Sequence, residues 1–294
     1  MNGKKQEHEN HLWQRAKELE GLPRAESYHE LSKIAYDREE YPEALNLCLI
    51  AKEIFEQDQA NSYTAEILNL YQGIVNSYEC LEECDKAENS LLDAIELARV
   101  SDDKTLTELI RQLGRLYFGH KKYLKSIECH TEAMTLPPNP DVDHHEGIDY
   151  MNIGMCHHQL KDYPEAIRYK KIGLDKFREV EVDSNWLINA YGELTESYME
   201  LQMADEIFQY GQKALDWWEI EKNYQKCWTL KFYLAIAHRL KGEFDEALDI
   251  LMEAREMIID HCRRPQRYLV DIDKEEGEIL IMQGKVEAGQ ELIR

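Results

Sequence analysis

The feature that most constrains this chain is that it repeats itself at a spacing of about forty residues. The stretch KDYPEAIRYKKIGL, 161–174, sets an aromatic ahead of Pro-Glu-Ala and a small residue ten positions later; KGEFDEALDILMEA, 241–254, follows the same pattern. With that aromatic as a landmark, the chain offers Tyr41, Cys84, Tyr123, Tyr163, Ala204, Phe244 and Val286, separated by 43, 39, 40, 41, 40 and 42 residues. Nine positions before them stand Ser32, Val75, Gly114, Gly154, Thr195, Ala235 and Gly277, nearly all small or short. Ten positions after the first six stand Ala51, Ala94, Ala133, Gly173, Ala214 and Ala254. Six positions before come Ala35, Tyr78, Tyr117, His157, Tyr198, His238 and Leu280, mostly ring-bearing. Self-similarity at a fixed period marks stacked supersecondary units that bury their apolar faces on one another.

The columns have a physical reading. Each unit is a pair of antiparallel helices, A and B. Small residues stand where two helix backbones cross closely, and the ring column fills the gap to the neighbouring unit. LIRQLGRLYFG, 109–119, carries apolar residues at helical spacing and predicts one buried stripe. Pro42 and Pro164 fall in the first turn of helix B, where a missing N–H costs little. With 43% hydrophobic residues, only 14 Gly and 7 Pro, and little strand-like alternation, the chain is expected to be all-α.

The pattern resembles that of the tetratricopeptide repeat family over about residues 25–294. The matching residues include Leu113-Gly114, Tyr117, Tyr123 and Ala133 in unit three, Ile153-Gly154, Tyr163, Ala166 and Gly173 in unit four, and Phe244, Ala247 and Ala254 in unit six. The usual period of that family is about 34 residues; this chain is longer per unit, similar to bacterial peptide-sensing regulators and some scaffold proteins. The resemblance implies a right-handed superhelical solenoid of about seven units, the last incomplete. Residues 1–24 form a polar segment with a capping helix over 9–20, ended by Gly21-Leu22-Pro23. LPPNPDVD, 136–143, reads as a long connection between units three and four, or as a slight hinge. The short final helix, starting near Glu287, is expected either to be covered by another subunit or to continue in a longer natural chain.

Charge and motifs narrow the function. A formal charge of −23 repels nucleic-acid phosphate and anionic lipid, so neither nucleic acid nor membrane is expected as a partner. Seven dispersed Cys and a polar N-terminus without an apolar leader core read as reduced thiols in a cytoplasmic protein. No phosphate loop, nucleophile elbow, His-Glu-x-x-His or Cys-x-x-Cys occurs, so neither catalytic residues nor a cofactor is assigned. Cys80 and Cys84 straddle an A–B turn. Cys129-His130, His144-His145 and Cys156-His157-His158 lie close in sequence, but a metal needs convergent side chains. His157 sits in the ring column, and Cys129 and Cys156 fall on different helix faces, so no metal is assigned either. Trp217, Trp218 and Trp228 read as packing between units or as an aromatic anchor for a partner.

What remains is the face of the A helices, which in tetratricopeptide-repeat solenoids lines a concave groove. The resemblance places His29, Lys33 and Tyr36 there in unit one, and Gln72, Asn76 and Glu79 in unit two. Arg111, Arg115 and Phe118 follow in unit three, and Met151, Asn152, Met155 and His158 in unit four. Asn189, Glu193 and Glu196 come from unit five, and Thr229, Phe232, Ile236 and Arg239 from unit six. Arg111 and Arg115, four apart, are expected to close on one carboxylate. Asn and Gln offer a donor and an acceptor together, suited to a peptide backbone, and Met151, Met155 and Phe118 offer an adaptable apolar patch. Lysine and asparagine of the chaperone-tail type are replaced by His29 and Lys33, so that specificity is not expected. The resemblance thus implies a noncatalytic module holding a protein or peptide partner in its groove. Two alternatives stand beside it: a bacterial sensor of an intracellular signalling peptide acting on a partner protein, and an assembly scaffold forming homo-oligomers through its open C-terminal end. For the sensor, neither the helix-turn-helix domain nor the N-terminal three-helix bundle of such regulators has a counterpart, since unit one begins at about Ala25.

Overall fold

The computed structural model describes residues 2–57, 63–101, 104–137, 145–180 and 183–294. Among them are fifteen α-helices and no strand. The chain divides into two compact units, Met1–Asn139 and Pro140–Arg294. The first holds α1 (Asn2–Glu18) and three hairpins: α2 (Leu22–Asp37) with α3 (Tyr41–Gln57), α4 (Thr64–Cys80) with α5 (Cys84–Ser101), and α6 (Leu106–Gly119) with α7 (Tyr123–Thr135). The second holds four: α8 (His145–Gln159) with α9 (Tyr163–Glu179), α10 (Ser184–Glu200) with α11 (Ala204–Ile220), α12 (Tyr224–Lys241) with α13 (Phe244–His261), and α14 (Gln266–Met282) with α15 (Val286–Ile293). Every landmark of the repeat is the first residue of a B helix. The stretch 136–143 lies, from residue 138 on, outside the described residues.

One turn joins A to B throughout. Two positions before each landmark the backbone is left-handed, at Glu39, Glu82, Lys121, Lys161, Gln202, Gly242 and Gly284. The next residue donates its N–H back to the ring column: Glu83 to Tyr78 O at 2.9 Å, Lys122 to Tyr117 O at 2.8 Å, Asp162 to His157 O at 2.9 Å. This six-to-one bond over a left-handed residue is a Schellman turn, which satisfies the last carbonyls of helix A. The ring column therefore also marks the turn's acceptor. Only two of the seven left-handed positions are Gly, although an L-residue there costs about 1–2 kcal/mol. An eighth copy joins B to A: Lys222 is left-handed and Asn223 N–H reaches Trp218 O at 3.0 Å. Three helix starts carry a side-chain cap. Asp162, Asp183 and Asn223 accept from Glu165, Asn185 and Lys226 N–H respectively.

Close crossing explains the small columns. Ala51, Ala94, Ala214 and Ala254 are wholly buried. A Cβ on Gly173 would lie 2.9 Å from the Gly147 carbonyl, so α8 and α9 approach backbone to backbone. Around these crossings the cores are built from Leu70, Ile74, Leu91 and Ile110 in the first unit and Leu194, Ile207, Leu251 and Ile258 in the second. Each such burial stabilises by about 1.5–3 kcal/mol. α1 lays Leu12 and Ala16 on Leu31, Ala35, Ala44 and Leu47. α2 starts at Leu22, earlier than the unit boundary near Ala25, because Pro23 is tolerated in its first turn. Gly21, at φ 58, makes the sharp entry to α2. No helix among the described residues is long and apolar enough to cross a membrane.

Candidate functional site

Among the described residues, each unit has a cleft lined largely by A helices. In the first, α2 and α4 flank a space of about 230 Å³ over the floor residues Ala44, Cys48 and Gly73. Its walls bring together Lys33, Gln72 and Asn76 with His29, Tyr36 and Asn69. Gln72 Nε2 donates to Asn76 Oδ1 at 2.9 Å, and Gln112 Nε2 of α6 approaches the same oxygen at 3.4 Å. With its oxygen occupied, Asn76 keeps an amide nitrogen that makes no hydrogen bond among the described residues; the Asn69 side chain makes none either. Lys33 is exposed and pairs with Glu30 at 2.7 Å. Burial, aided by the Lys33 charge, holds His29 below its ordinary pKa, so it stays a neutral ring near pH 7. Burial raises the Cys48 thiol, which keeps it protonated in the floor.

The cleft of the second unit, about 250 Å³, lies among α10, the end of α11 and the start of α12. Asn189, Glu193 and Glu196 line it from α10, Trp218 from α11, and Gln225, Lys226, Thr229 and Tyr233 from α12. Beneath it sits Lys170 of α9, wholly buried. Its Nζ donates to Glu193 O and Glu193 Oε2, both at 2.9 Å, and to Ser197 Oγ at 3.0 Å. His158 Nδ1 lies 3.0 Å from the same Ser197 Oγ, and His158 Nε2 lies 3.7 Å from Glu196. Burial and then the Lys170 charge lower the His158 pKa. Burial, reinforced by Glu193, raises that of Glu196. A hydroxyl between Lys and His is by distance a nucleophile with two bases. Ser197 and Lys170 are both fully buried, however, so no substrate atom reaches them and the network serves as a clamp on α10.

The other groove candidates are not alike. Arg111 is buried at 6% exposure, whereas Arg115 is half exposed and pairs with Glu108 at 3.0 Å. The two therefore do not form a matched surface fork; the turn of α6 puts Arg111 among core residues. Arg239 is engaged by the buried carboxylate of Glu275. Met151 is buried in the second unit's core, while Asn152 and Met155 are half-buried. Phe118 packs edge-on against Tyr123, and Phe232 lies beside Tyr233. Asn189 ties its amide to Asn185 O at 2.8 Å. Trp217 and Trp218 are half-buried against the second unit's core, and Trp228 is buried against Tyr268. Among the described residues no group of three or more His, Cys, Asp or Glu side chains could hold a metal ion; His144 lies outside them. All seven cysteines are free.

No protein-family model and no curated protein matches the chain by sequence. Solved structures do match it in fold. The tetratricopeptide-repeat sensor protein of the signal transduction ATPase with numerous domains class from Pyrococcus horikoshii aligns at a TM-score of 0.74 and 14% identity over 92% of this chain. This chain spans 41% of that one. The apo form of RapI aligns at 0.63 and 15% identity, over 92% of this chain and 95% of its own. The fold is that of the tetratricopeptide-repeat proteins. A Rap protein complexed with competence and sporulation factor shares it at 0.55 and 15% identity, over 96% of this chain and 76% of its own.

Within this tetratricopeptide-repeat array, sequence reasoning missed Lys170. Its column, seven past the landmark, otherwise reads Cys48, Leu91, His130, Gly211, Leu251 and Ile293, so a lysine in a mostly apolar column was the available signal. Lys231 was missed likewise. It stands in a column that otherwise reads Tyr28, Tyr71, Ile110, Tyr150, Tyr191 and Asp273, and is buried between Glu219 at 3.0 Å and Glu253 at 2.8 Å.

Proposed function

We propose that the chain is a noncatalytic binding module whose A-helix faces take up a peptide or protein segment. The observation that carries this reading is the first unit's cleft, where amide groups gather over a floor of small residues. Asn69 and Asn76 present N–H donors with no internal partner among the described residues, and Gln72 and Gln112 fix the orientation of Asn76. Amide donors held in this way suit backbone carbonyls of an extended segment and read little of its sequence. The Rap protein complexed with competence and sporulation factor supports the reading by analogy, since its fold accommodates a bound partner.

Selection of phage-displayed random heptapeptides on the full chain tests this. Enriched peptides are expected to bind at least tenfold more weakly to the Gln72→Ala, Asn76→Ala double variant, with its circular dichroism unchanged. Failure to enrich any peptide, or affinity indifferent to the double change, overturns the reading. Arg115→Glu alone extends the test to α6; Arg111 is buried and its replacement would disturb the fold instead.

A further inference from the structure

The carboxylates of the second unit's cleft are not equivalent. Glu193 is answered from behind by Lys170, whose Nζ reaches both its carboxylate and its carbonyl at 2.9 Å. Glu196 has no such answer. Among the described residues no Lys or Arg nitrogen lies within 4.0 Å of it; His158 comes to 3.7 Å, Lys170 and Lys226 act on it from farther off, and Glu193 and Glu200 oppose its charge. His158 is held below its ordinary pKa by burial and by Lys170, and therefore brings no charge near pH 7. Lys226 shares the cleft without pairing with either carboxylate within that distance. Glu196 is thus a half-buried carboxyl group in a concave site with no Lys or Arg ion pair among the described residues. Trp218 and Tyr233 stand in the same lining, and Asn189 and Thr229 add polar groups. Aromatic faces and a carboxylate without a Lys or Arg partner attract one chemical class in common, an ammonium or guanidinium group. A space of about 250 Å³ is of a size for such a head and its alkyl stem rather than for a folded partner.

We propose that the cleft lined by Glu196, Trp218 and Tyr233 is a binding site for an organic cation, carried either by a free polyamine or by a Lys or Arg side chain of a bound segment. The site shares no residue with the amide-lined cleft of the first unit, and only its peptide-borne source rests on the function proposed above. Lys170 has a positioning part in it. By pairing with Glu193 and pinning α10 it leaves Glu196 as the cleft's acidic group without an ion pair for a ligand to meet.

The test is calorimetric titration of the full chain at 150 mM salt, where diffuse attraction to a −23 protein is screened. Three probes are used: spermidine, an acetylated and amidated pentapeptide with one central arginine, and the same pentapeptide with glutamine in its place. Saturable binding of spermidine or of the arginine peptide is expected, with the glutamine peptide at least tenfold weaker. Glu196→Gln is expected to weaken the binding cation at least tenfold, and Trp218→Leu to weaken it severalfold. Glu246→Gln, which removes an exposed carboxylate of α13, should change it less than twofold. Unchanged melting temperature in Glu196→Gln shows that the fold is intact. Spermidine alone binding identifies a free amine as the source; the arginine peptide alone identifies a side chain. Absence of saturation with both, or equal loss from Glu246→Gln and Glu196→Gln, overturns the site. Neither result touches the amide-lined cleft, whose test uses Gln72 and Asn76.

Discussion

Eight positions before the landmark, the first unit carries Lys33, Asn76 and Arg115, and the second carries Met155, Glu196, Ile236 and Glu278. Two of these residues line the first cleft and one lines the second, so corresponding positions of one scaffold present amide and lysine groups in one unit and an acid in the other. The small columns and the Schellman turns are common to both units. What the comparison teaches is that the repeat sets where a side chain stands, while a few exposed columns decide what it meets. The units differ below the surface too. The column seven past the landmark holds Cys48 under the first cleft and Lys170 under the second, giving an apolar floor in one case and a buried charge in the other.

That buried charge gives the largest expected effect. Lys170→Ala leaves Glu193 without its partner and is expected to destabilise by about 3 kcal/mol, read as a shift in the urea midpoint. Lys170→Met with Glu193→Gln should recover much of the loss; no recovery would show that the ion pair is not what Lys170 contributes. Next comes the small column, which differs between units at one place. Gly173→Ala drives a Cβ towards the Gly147 carbonyl and should cost about 2 kcal/mol. Ala133→Gly, at the same column of the first unit, should cost about 1 kcal/mol through helix propensity alone. Equal costs would deny that the α8–α9 crossing is the closer one. Within the facing column, Glu196→Asn should weaken a cation bound in the second cleft about tenfold, about 1.4 kcal/mol, whereas Asn76→Glu in the first cleft should leave that affinity unchanged.

Smaller effects belong to features of the turns and of α1. Lys161→Gly and Gln202→Gly should each stabilise by about 0.5 kcal/mol, and Gly242→Ala should destabilise by about 1 kcal/mol, all by thermal melting. The smallest concerns α1. Its Glu9 is held below the usual carboxylate range by the hydrogen bond from Arg38. A depressed folded pKa contributes stability that is present above the ordinary value of about 4.3 and lost as pH falls through the folded one. The melting temperatures of wild type and Glu9→Gln should therefore differ slightly at pH 7 and coincide at pH 2.

The hairpins were legible in the sequence, because small residues at close crossings and rings beside the turn are forced by packing; the last B helix starts at Val286, one residue before the expected Glu287. The turns themselves were not legible. Glu39, Glu82, Lys121, Lys161 and Gln202 do not announce a left-handed backbone as Gly242 and Gly284 do. Lys33 and Asn76 line one cleft together with Gln72 because the same column reappears one repeat later on the facing A helix. The Arg111–Arg115 pair was misleading because residues four apart share a helix face only approximately, and α6 is buried over most of its circumference. Lys170 escaped notice because lysine is read by default as solvated.

The left-handed residues Gln202, Lys222 and Gly242 fall at equal intervals of twenty. Between Ser184 and His261 the chain therefore folds back three times with the same short link, and each helix meets its partner within a few tens of residues. Low sequence separation of this kind favours rapid formation. These four helices are expected to assemble early in refolding and to complete the acidic cleft, whose lining runs only from Asn189 to Tyr233, while other hairpins are still searching for neighbours.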